Sequence, residues 1–302
     1  MAKPGRVGVV TVTYNSAPVL HDFMDSLLSQ SHSDFVLYVI DNNSSDETLT
    51  VLSEYSDSRL VVLPGKINVG VAEGNNIGIR AALKDGCDSV LLLNNDTVFD
   101  PNLLANLADA FEHYPCDMVV PKIMHFDDPE KIWCAGGYFI GIRGSARHFG
   151  YRQRDRGAFD QPRLVDYSPT CCMLIKKEVF ARVGLMDANY FVYFDDTDFC
   201  QRASRTGIRL LYLPSARLLH KVSSLIGGES DLYYRYSTRN HVYYCLKHFP
   251  AWKLMVFFPA YQVHLVSKFL IWFRKPRTFL LVERAFWEGI RLSQSRVQQH
   301  SQ

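Results

Sequence analysis

Short apolar runs alternate with segments of helical periodicity in the N-terminal third of the chain. The runs are rich in β-branched residues and leucine, as are strands that are buried on both faces of a parallel sheet. They comprise Val7–Thr13, Phe35–Ile40, Leu60–Leu63 and Ser89–Leu93. The helical segments between them are Ala17–Gln30, Thr48–Tyr55 and a Gly/Asn-rich turn that runs into a helix to about Lys84. This β-α alternation predicts an α/β fold with a doubly wound, mostly parallel sheet.

The pattern continues less regularly beyond Leu93. It predicts helices at Leu103–His113, Lys177–Val183 and Thr197–Thr206, and strands at Met118–Val120, Cys172–Ile175 and Leu210–Leu213. Between His125 and Asp166 lies an irregular stretch rich in glycine and arginine. Long loops inside a compact domain are usually functional or mobile. We interpret this stretch as the wall of a substrate cleft with a short hairpin, or else as a surface excursion.

Asp96 follows the buried run Ser89–Leu93 almost directly, after Asn94 and Asn95. In open α/β sheets, ligands bind just beyond the carboxyl ends of the strands. A carboxylate at such a position can hold a divalent cation, which can in turn hold a phosphate. The alternative is an Asx turn before a helix start at Asp100 and Pro101.

Several nucleotide-binding classes are disfavoured. Gly70, Gly74 and Gly78 are spaced by four, and no glycine-rich turn follows the first strand, which disfavours a Rossmann dinucleotide site. The P-loop pattern GxxxxGK[ST] does not occur. The formal net charge is +2, so we expect no nucleic-acid partner.

The cysteines indicate a reducing compartment. Seven of them are scattered along the chain without a CxxC pair, which predicts neither a disulfide framework nor a zinc site. Such usage fits the cytosol. The N-terminal Met1–Arg6 leads straight into a strand, and we expect no signal peptide.

Five segments resemble, in this order, the motifs of the family 2 glycosyltransferases. They are Val10–Asn15, Asp41–Asp46, Asn68–Gly78, Leu92–Asp96 and Tyr193–Asp198. Within that family the chain most resembles the bacterial rhamnosyltransferases of O-antigen and related surface polysaccharides. The resemblance covers residues 6–245. It implies a GT-A fold for a catalytic domain at 1–245, and an inverting, metal-dependent transfer from a nucleotide-sugar.

The resemblance also implies a metal site. Asp96 matches the last position of the family's DxD motif, the metal ligand, and Asn94 stands at its first position. Asparagine at this position removes one negative charge. Binding of the metal, Mg²⁺ or Mn²⁺, should therefore depend more on Asp96, on His220 and on the diphosphate oxygens. For His220, a structural histidine is the alternative interpretation.

The catalytic residues implied by the resemblance lie in the acidic cluster of Asp195, Asp196 and Asp198. Asp196 matches the general base, and Asp195 replaces the usual glutamate before it. Transfer to a sugar hydroxyl needs a base that removes its proton, and a positioned carboxylate contributes about 10²–10⁴-fold. The alternative is a charged helix N-terminus stabilised by the helix dipole, and both roles can coexist.

Further residues are expected to bind the nucleotide-sugar. By resemblance, Asp41 contacts the nucleobase and the loop around Tyr14 lines the base and ribose. The complete set is Thr13, Tyr14, Asn15, Asp41, Asn68, Gly70, Asn75, Asn94, Asn95, Arg235 and Arg239. The two arginines lie four apart on a helical stretch, where they clamp the diphosphate or form a solvated face.

Residues 246–302 form an aromatic and basic extension that we expect to be helical. From Trp252 to Arg277 apolar runs end in a basic cluster, which suits a helix in the interface of an anionic membrane; packing on the catalytic domain or a second subunit is the alternative. Together with the resemblance, this predicts an enzyme at the inner face of the bacterial plasma membrane. The expected donor is dTDP-L-rhamnose and the acceptor a lipid-linked or lipopolysaccharide-type saccharide. The alternatives are another donor (UDP-galactofuranose or UDP-GlcNAc) or a non-catalytic nucleotide-sugar-binding protein.

Overall fold

The computed structural model of the chain describes residues 5–222, 230–271 and 276–299. Its strands are β1 (Val7–Thr13), β2 (Phe35–Asp41), β3 (Leu60–Pro64), β4 (Ser89–Leu93), β5 (Thr97–Phe99), β6 (Met118–His125), β7 (Ile132–Cys134), β8 (Gly137–Ile140), β9 (Ser145–His148), β10 (Arg163–Val165), β11 (Cys172–Lys176) and β12 (Leu210–His220). Its helices are α1 (Ala17–Leu28), α2 (Thr48–Ser53), α3 (Gly70–Lys84), α4 (Leu103–His113), α5 (Lys177–Val183), α6 (Asp195–Arg205), α7 (Asp231–His248), α8 (Ala251–Ile271) and α9 (Pro276–Gln299).

Within the described residues, ten strands form one sheet in the order β10-β12-β6-β11-β4-β1-β2-β3, with β5 beside β12 and β7 beside β6. β4, β1, β2 and β3 run parallel. β11 is antiparallel between β4 and β6, so β6 and β12 again point in the direction of β4. The predicted, mostly parallel sheet is confirmed. The carboxyl ends of β1, β2, β4 and β12 therefore lie along one edge, where open α/β sheets bind ligands.

Helices cover both faces of this sheet. One buried apolar core joins α1, α2 and α4 to the strands, and a second joins α3, α5 and α6. Val9 and Val10 of β1 belong to different cores, because successive side chains of a strand point to opposite faces. The central strands are apolar without alternation for the same reason.

The glycines spaced by four have a packing role. A Cβ atom at Gly78 would lie 2.3 Å from Cγ1 of Val10, and one at Gly74 would lie 2.9 Å from Cγ1 of Val12. The spacing puts both glycines on the face of α3 that contacts β1. The pattern therefore allows close helix–strand contact.

The irregular stretch between β6 and β11 is part of the fold. The expected hairpin is present as β8 and β9, while β7 and β10 extend the main sheet. Lys122 of β6 is 3% exposed and pairs with Asp155 (2.7 Å) and with Asp160. A buried ammonium needs such partners, so these pairs tie the stretch to the sheet.

The C-terminal helices pack on each other and on the main domain. α7 packs along α9, and aromatic residues of α7 and α8 form a small core with Tyr190 of a 3-10 turn at Ala188–Tyr190. The expected domain boundary after residue 245 falls inside α7. Residues 272–275 of the aromatic-to-basic segment lie outside the described residues. In the described parts of the chain, no helix combines the length and the apolarity needed to cross a bilayer.

Candidate active site

The ends of β1 and β2 meet at Asp41, which is buried. Its Oδ1 accepts hydrogen bonds from the hydroxyls of Thr13 (2.9 Å) and Ser44 (2.6 Å), and its Oδ2 accepts one from the Ser44 amide (3.0 Å). A carboxylate oxygen can accept two hydrogen bonds. Oδ2 therefore retains acceptor capacity for a ligand.

The loop after β1 presents an exposed aromatic ring. Asn15 has a φ of 50° and is fixed from both sides: its amide donates to Ser44 Oγ (2.9 Å), and its Oδ1 accepts from the Ser45 amide (2.8 Å). The neighbouring Tyr14 is 50% exposed. Tyr14 thus follows Thr13, which bonds Asp41, on a loop held by these hydrogen bonds.

Three of the residues that we expected to bind the nucleotide-sugar contact other parts of the protein: Asn68, Gly70 and Asn75. Asn68 Oδ1 accepts from the Gly70 amide at 2.9 Å. Gly70 has a φ of +83°, and a Cβ there would lie 2.5 Å from the carbonyl oxygen of Phe191. Asn75 is buried, with its amide nitrogen 3.6 Å from Sδ of Met186. These contacts hold α3 against the segment that precedes α6.

Asn94 and Asn95 follow β4 but differ in their surroundings. Asn95 is buried and donates to the Val12 carbonyl (2.8 Å) and to Ser16 Oγ (3.3 Å), which ties β4 to the end of β1. Asn94 is exposed. Of the two, Asn94 is therefore available to a ligand, and Asn95 has an internal structural role.

Asp96 and His220 come together because β5 pairs with β12, which places Thr97 opposite His220. Oδ1 of Asp96 lies 3.2 Å from Nε2 of His220, and both side chains are buried. The approach lacks hydrogen-bond geometry: among the residues that the structure describes, Asp96 Oδ1 has no hydrogen-bond partner, and neither has His220 Nδ1. The edge of the His220 ring packs against Trp133, with the centroids 4.5 Å apart.

This pair fits a divalent cation. A buried polar atom without a partner costs about 1–3 kcal/mol, which a bound ion would remove for the carboxylate. A carboxylate oxygen suits Mg²⁺ and Mn²⁺, and an imidazole nitrogen favours Mn²⁺. Within the described ranges, no group of three or more His, Cys, Asp or Glu side chains is arranged to hold a metal ion. Such an ion would therefore need oxygen ligands in addition to Asp96 and His220.

Asp196 is held at the start of α6. Its Oδ2 accepts a hydrogen bond from the Tyr167 hydroxyl (2.9 Å), and its Oδ1 accepts from the amide (2.6 Å) and hydroxyl (3.0 Å) of Thr197. Burial raises the pKa of Asp196, and these hydrogen bonds oppose the rise. The carboxylate thus becomes a stronger base than an ordinary aspartate while remaining partly exposed.

The neighbouring Asp195 is more deeply buried, at 5% exposure. Burial and the charge of Asp196 raise the pKa of Asp195 to about 8. Two adjacent buried carboxylates repel each other when both are ionised. Asp195 is therefore mostly protonated at neutral pH, and Asp196 carries the charge.

The backbone before these carboxylates is strained. Phe191, Tyr193 and Phe194 all have φ values of 65–66°. For a bulky residue, a backbone conformation with positive φ costs of order 1–3 kcal/mol. Such strain persists only where the surrounding contacts enforce it.

Asp198, which we expected among the catalytic residues, has internal protein partners. It is fully buried and contacts His248 Nε2 (2.7 Å), Arg202 Nε (2.8 Å), Lys247 Nζ (2.6 Å) and the Tyr190 hydroxyl (3.2 Å). Burial opposes its ionisation, but the hydrogen bond from His248 and the charges of Lys247 and Arg202 hold the pKa of Asp198 well below its usual range. Its lone pairs are used, so it anchors α6 to α7.

The two arginines of α7 also have protein partners. Arg235 pairs with Glu288 of α9 at 3.0 Å. Arg239 donates to the carbonyls of Asn189 (2.6 Å) and Tyr190 (2.8 Å). Arg235 is exposed at the surface, and Arg239 is partly buried. Both guanidiniums hold parts of the protein together.

Comparison with known proteins identifies the family. The model of glycosyl transferase family 2 matches residues 8–184, more than half of the chain. The chain belongs to glycosyl transferase family 2.

Relatives of this glycosyltransferase include two enzymes named for rhamnosyl transfer. One is N-acetylglucosaminyl-diphospho-decaprenol L-rhamnosyltransferase of Mycobacterium tuberculosis, 26% identical over 73% of this chain and 78% of the relative. The other is the dTDP-rhamnosyl transferase RfbF of Shigella flexneri, 25% identical over 72% of this chain and 69% of the relative.

Solved structures share the fold. GalNAc-T7 with UDP, GalNAc and Mn²⁺ aligns with a TM-score of 0.65 at 18% identity, over 81% of this chain and 48% of that longer chain. The mannosyltransferase PcManGT of Pyrobaculum calidifontis with GDP-Man and Mn²⁺ aligns with a TM-score of 0.57 at 15% identity, over 97% and 88% of the two chains. The fold of this glycosyltransferase is GT-A, with a helical C-terminal region.

Sequence reasoning missed an aromatic wall that links the two charged centres of the glycosyltransferase. Tyr167, which bonds Asp196, stacks on His148 (5.8 Å between centroids); His148 contacts Trp133 (4.8 Å), and Trp133 contacts His220. Trp133 lies in β7, His148 in β9, and Tyr167 follows β10. No sequence motif marks any of the three. The only available signal was the prediction of a cleft wall there.

Proposed function

We propose that this glycosyltransferase moves L-rhamnose from dTDP-L-rhamnose to a hydroxyl of a lipid-linked saccharide, with inversion at the anomeric carbon. The observation that carries the proposal is Asp196: a partly exposed carboxylate with a raised pKa, held by Tyr167 and Thr197 at one end of an aromatic wall. The Asp96–His220 pair lies at the other end of that wall.

In the proposed reaction, Asp196 takes the proton of the acceptor hydroxyl while that oxygen forms a bond to the anomeric carbon. The bond between the anomeric carbon and the diphosphate breaks on the opposite side, which gives inversion without a covalent intermediate on the protein. The fixed position of Asp196 contributes because a base must lie within hydrogen-bond reach of its proton. A divalent cation held by Asp96 and His220 would supply positive charge to the leaving diphosphate.

The donor assignment rests on the two rhamnosyltransferase relatives and on two side chains, Asp41 and Tyr14, that suit a pyrimidine base. The free acceptor capacity of Asp41 Oδ2 can receive the N3–H of thymine or uracil. The exposed ring of Tyr14 can stack on the base. Because both bases carry this N–H, UDP-GlcNAc and UDP-galactofuranose are the competing donors.

A donor screen tests this proposal. Purified protein would be incubated with dTDP-L-rhamnose, UDP-GlcNAc or UDP-galactofuranose and a lipid-linked saccharide, with Mg²⁺, Mn²⁺ or EDTA. We expect metal-dependent release of dTDP and a product whose anomeric configuration, read by NMR, is opposite to that of the donor. Preferred turnover of a UDP-sugar would replace the donor, a retained configuration would refute inversion, and binding without turnover of any donor would indicate a non-catalytic protein.

The lipid-linked acceptor motivates a second part of the proposal, contact with an anionic membrane. α9 carries an exposed stripe at alternating steps of three and four residues: Arg277, Leu280, Arg284, Trp287 and Arg291. On α8, the apolar residues Trp252, Met255, Val256 and Val263 are more than half exposed. Tryptophan and arginine on one helix face suit the headgroup boundary of a membrane.

Vesicle co-sedimentation tests the membrane contact. We expect binding to vesicles that contain phosphatidylglycerol, weaker binding at high salt, and loss of binding when Arg284 and Trp287 are both replaced by alanine. Equal sedimentation of that variant and the parent would contradict the proposal. A concentration-dependent dimer without vesicle binding would assign the same face to a second copy of the chain.

A further inference from the structure

The segment from Tyr190 to Phe194 delivers Asp196 to the site. Three of its residues have positive φ values, and all three are aromatic rather than glycine. Directly after them α6 begins at Asp195. The direction in which Asp196 enters the site therefore depends on whatever holds this backbone in an unfavourable conformation.

A single side chain of α7 contacts most of this backbone. Asn240 is fully buried, and its Nδ2 lies 2.8, 2.7 and 2.8 Å from the carbonyl oxygens of Tyr190, Val192 and Tyr193. An amide group has two hydrogens to share among these acceptors. Asn240 thus gathers three carbonyls of one short segment around one donor, a geometry that regular secondary structure does not produce.

The orientation of the Asn240 amide is itself fixed. Arg239 Nε donates to Asn240 Oδ1 at 2.8 Å, so the oxygen points to the guanidinium and the NH₂ group to the carbonyls. The opposite side of the segment is held by α3, whose Val71 amide donates to the Phe191 carbonyl at 2.6 Å. Gly70 allows that approach because it has no Cβ. The segment is clamped between α3 and α7.

We propose that Asn240 is a positioning residue that sets the place of Asp196 by holding the Tyr190–Tyr193 backbone. It contacts neither the acceptor nor the donor and acts only through the chain. This proposal rests on the assignment of Asp196 as the base. It predicts that loss of Asn240 slows the chemical step and leaves donor binding nearly unchanged, since a misplacement of about 1 Å can cost about 10²-fold in rate.

The test compares Asn240→Ala with a matched control, Gln30→Ala. Gln30 is also a buried amide that joins backbone groups: it donates to the carbonyls of Ser26 and Asp100 and accepts from the Leu104 amide. For Asn240→Ala we expect kcat to fall about 100-fold, KM for the donor to stay within about threefold, and hydrogen exchange to accelerate in the peptide covering 190–198. Gln30→Ala should lose stability but keep kcat and the protection of 190–198.

A second variant, Arg239→Gln, keeps the proposal testable if Asn240→Ala does not fold. It frees Asn240 Oδ1 and also removes the hydrogen bonds from Arg239 to the carbonyls of Asn189 and Tyr190. Because both changes loosen the same segment, we expect the same result, a lower kcat with an unchanged KM. Wild-type exchange in 190–198 for Asn240→Ala, or loosened exchange with wild-type kcat, would overturn the positioning role. If the wild-type protein transfers no sugar, the proposed function fails, and the exchange data alone decide whether Asn240 holds the segment.

Discussion

The Tyr167 hydroxyl donates a hydrogen bond to Oδ2 of Asp196 across 2.9 Å. It joins the segment between β10 and β11 to the first turn of α6. Tyr167 is buried, and burial together with the charge of Asp196 raises its own pKa well above the usual value. It therefore remains a donor at every pH of interest, and its hydrogen bond stabilises the ionised form of Asp196.

Replacing Tyr167 by phenylalanine should move the acid limb of the pH–rate profile. The hydrogen bond from Tyr167 lowers the pKa of Asp196 against the effect of burial, so its loss should raise that pKa further. We expect the acid limb of kcat/KM to shift upward by about one pH unit, the equivalent of roughly 1.4 kcal/mol. A downward shift, or an unmoved limb, would show that this bond does not control the base.

Asp195→Asn should retain most activity at pH 7. The pKa of Asp195 is raised to about 8 by burial and by the charge of Asp196, so the wild-type group is already neutral there, and asparagine resembles it in shape and charge. We expect kcat within about tenfold of wild type. Initial rates at pH 7 measure this, and a loss as large as that of Asp196→Asn would mean that Asp195 acts as an anion.

The sequence predicted the elements that depend on local pattern. The bounds of β1 and β4 were predicted correctly because their runs are rich in valine and leucine and are buried almost throughout. β5 was missed, since its three residues follow a polar turn and gain their structure from pairing with β12. β12 was predicted only to Leu213, because Pro214 normally ends a strand; a register shift between Leu213 and Arg217 lets the strand continue to His220.

The site residues divide in the same way. Asp96 and Asp196 were proposed from the sequence because each lies in a segment that resembles a family motif, Asp96 shortly after the apolar run of β4. The role of Asp198 could not, since its partners His248 and Lys247 lie on another helix far along the chain. Asn240 likewise has no local signal, because its function depends on three carbonyls of a distant segment.

Asp198→Asn should lower the free energy of unfolding and leave kcat largely unchanged. A buried ion pair that loses one partner typically costs about 3–5 kcal/mol of unfolding free energy. Because the folded-state pKa of Asp198 is lowered, its stabilisation is complete above the unfolded pKa of about 3.9 and is lost as the pH falls through the folded value. Urea unfolding should thus show a gap between wild type and variant at pH 7 that narrows below about pH 4.

A surface carboxylate provides the control for that measurement. Asp128 pairs with Lys131 at the surface, and Asp128→Asn should leave the unfolding curve nearly unchanged. A similar loss of unfolding free energy in both variants would contradict the anchoring role of Asp198. So would a difference between wild type and Asp198→Asn that widens at low pH.

Asp96→Ala and His220→Ala should each weaken Mn²⁺ binding. If both side chains hold one cation, removing either should raise the Kd for Mn²⁺ by at least about tenfold, measured by calorimetry in the presence of dTDP. The exposed His113 of α4 supplies the control, and His113→Ala should bind Mn²⁺ as the wild type does. Unchanged Mn²⁺ affinity in His220→Ala would return His220 to a structural role.

The Asp196→Asn variant tests whether Asp196 removes the proton of the acceptor hydroxyl. Asparagine keeps the shape of the side chain but cannot take a proton. Transfer from dTDP-L-rhamnose and the Kd for dTDP would be measured on the same preparation. We expect a kcat lower by about 10²–10⁴-fold with an unchanged Kd for dTDP; a kcat within about tenfold of wild type would show that Asp196 is not the base.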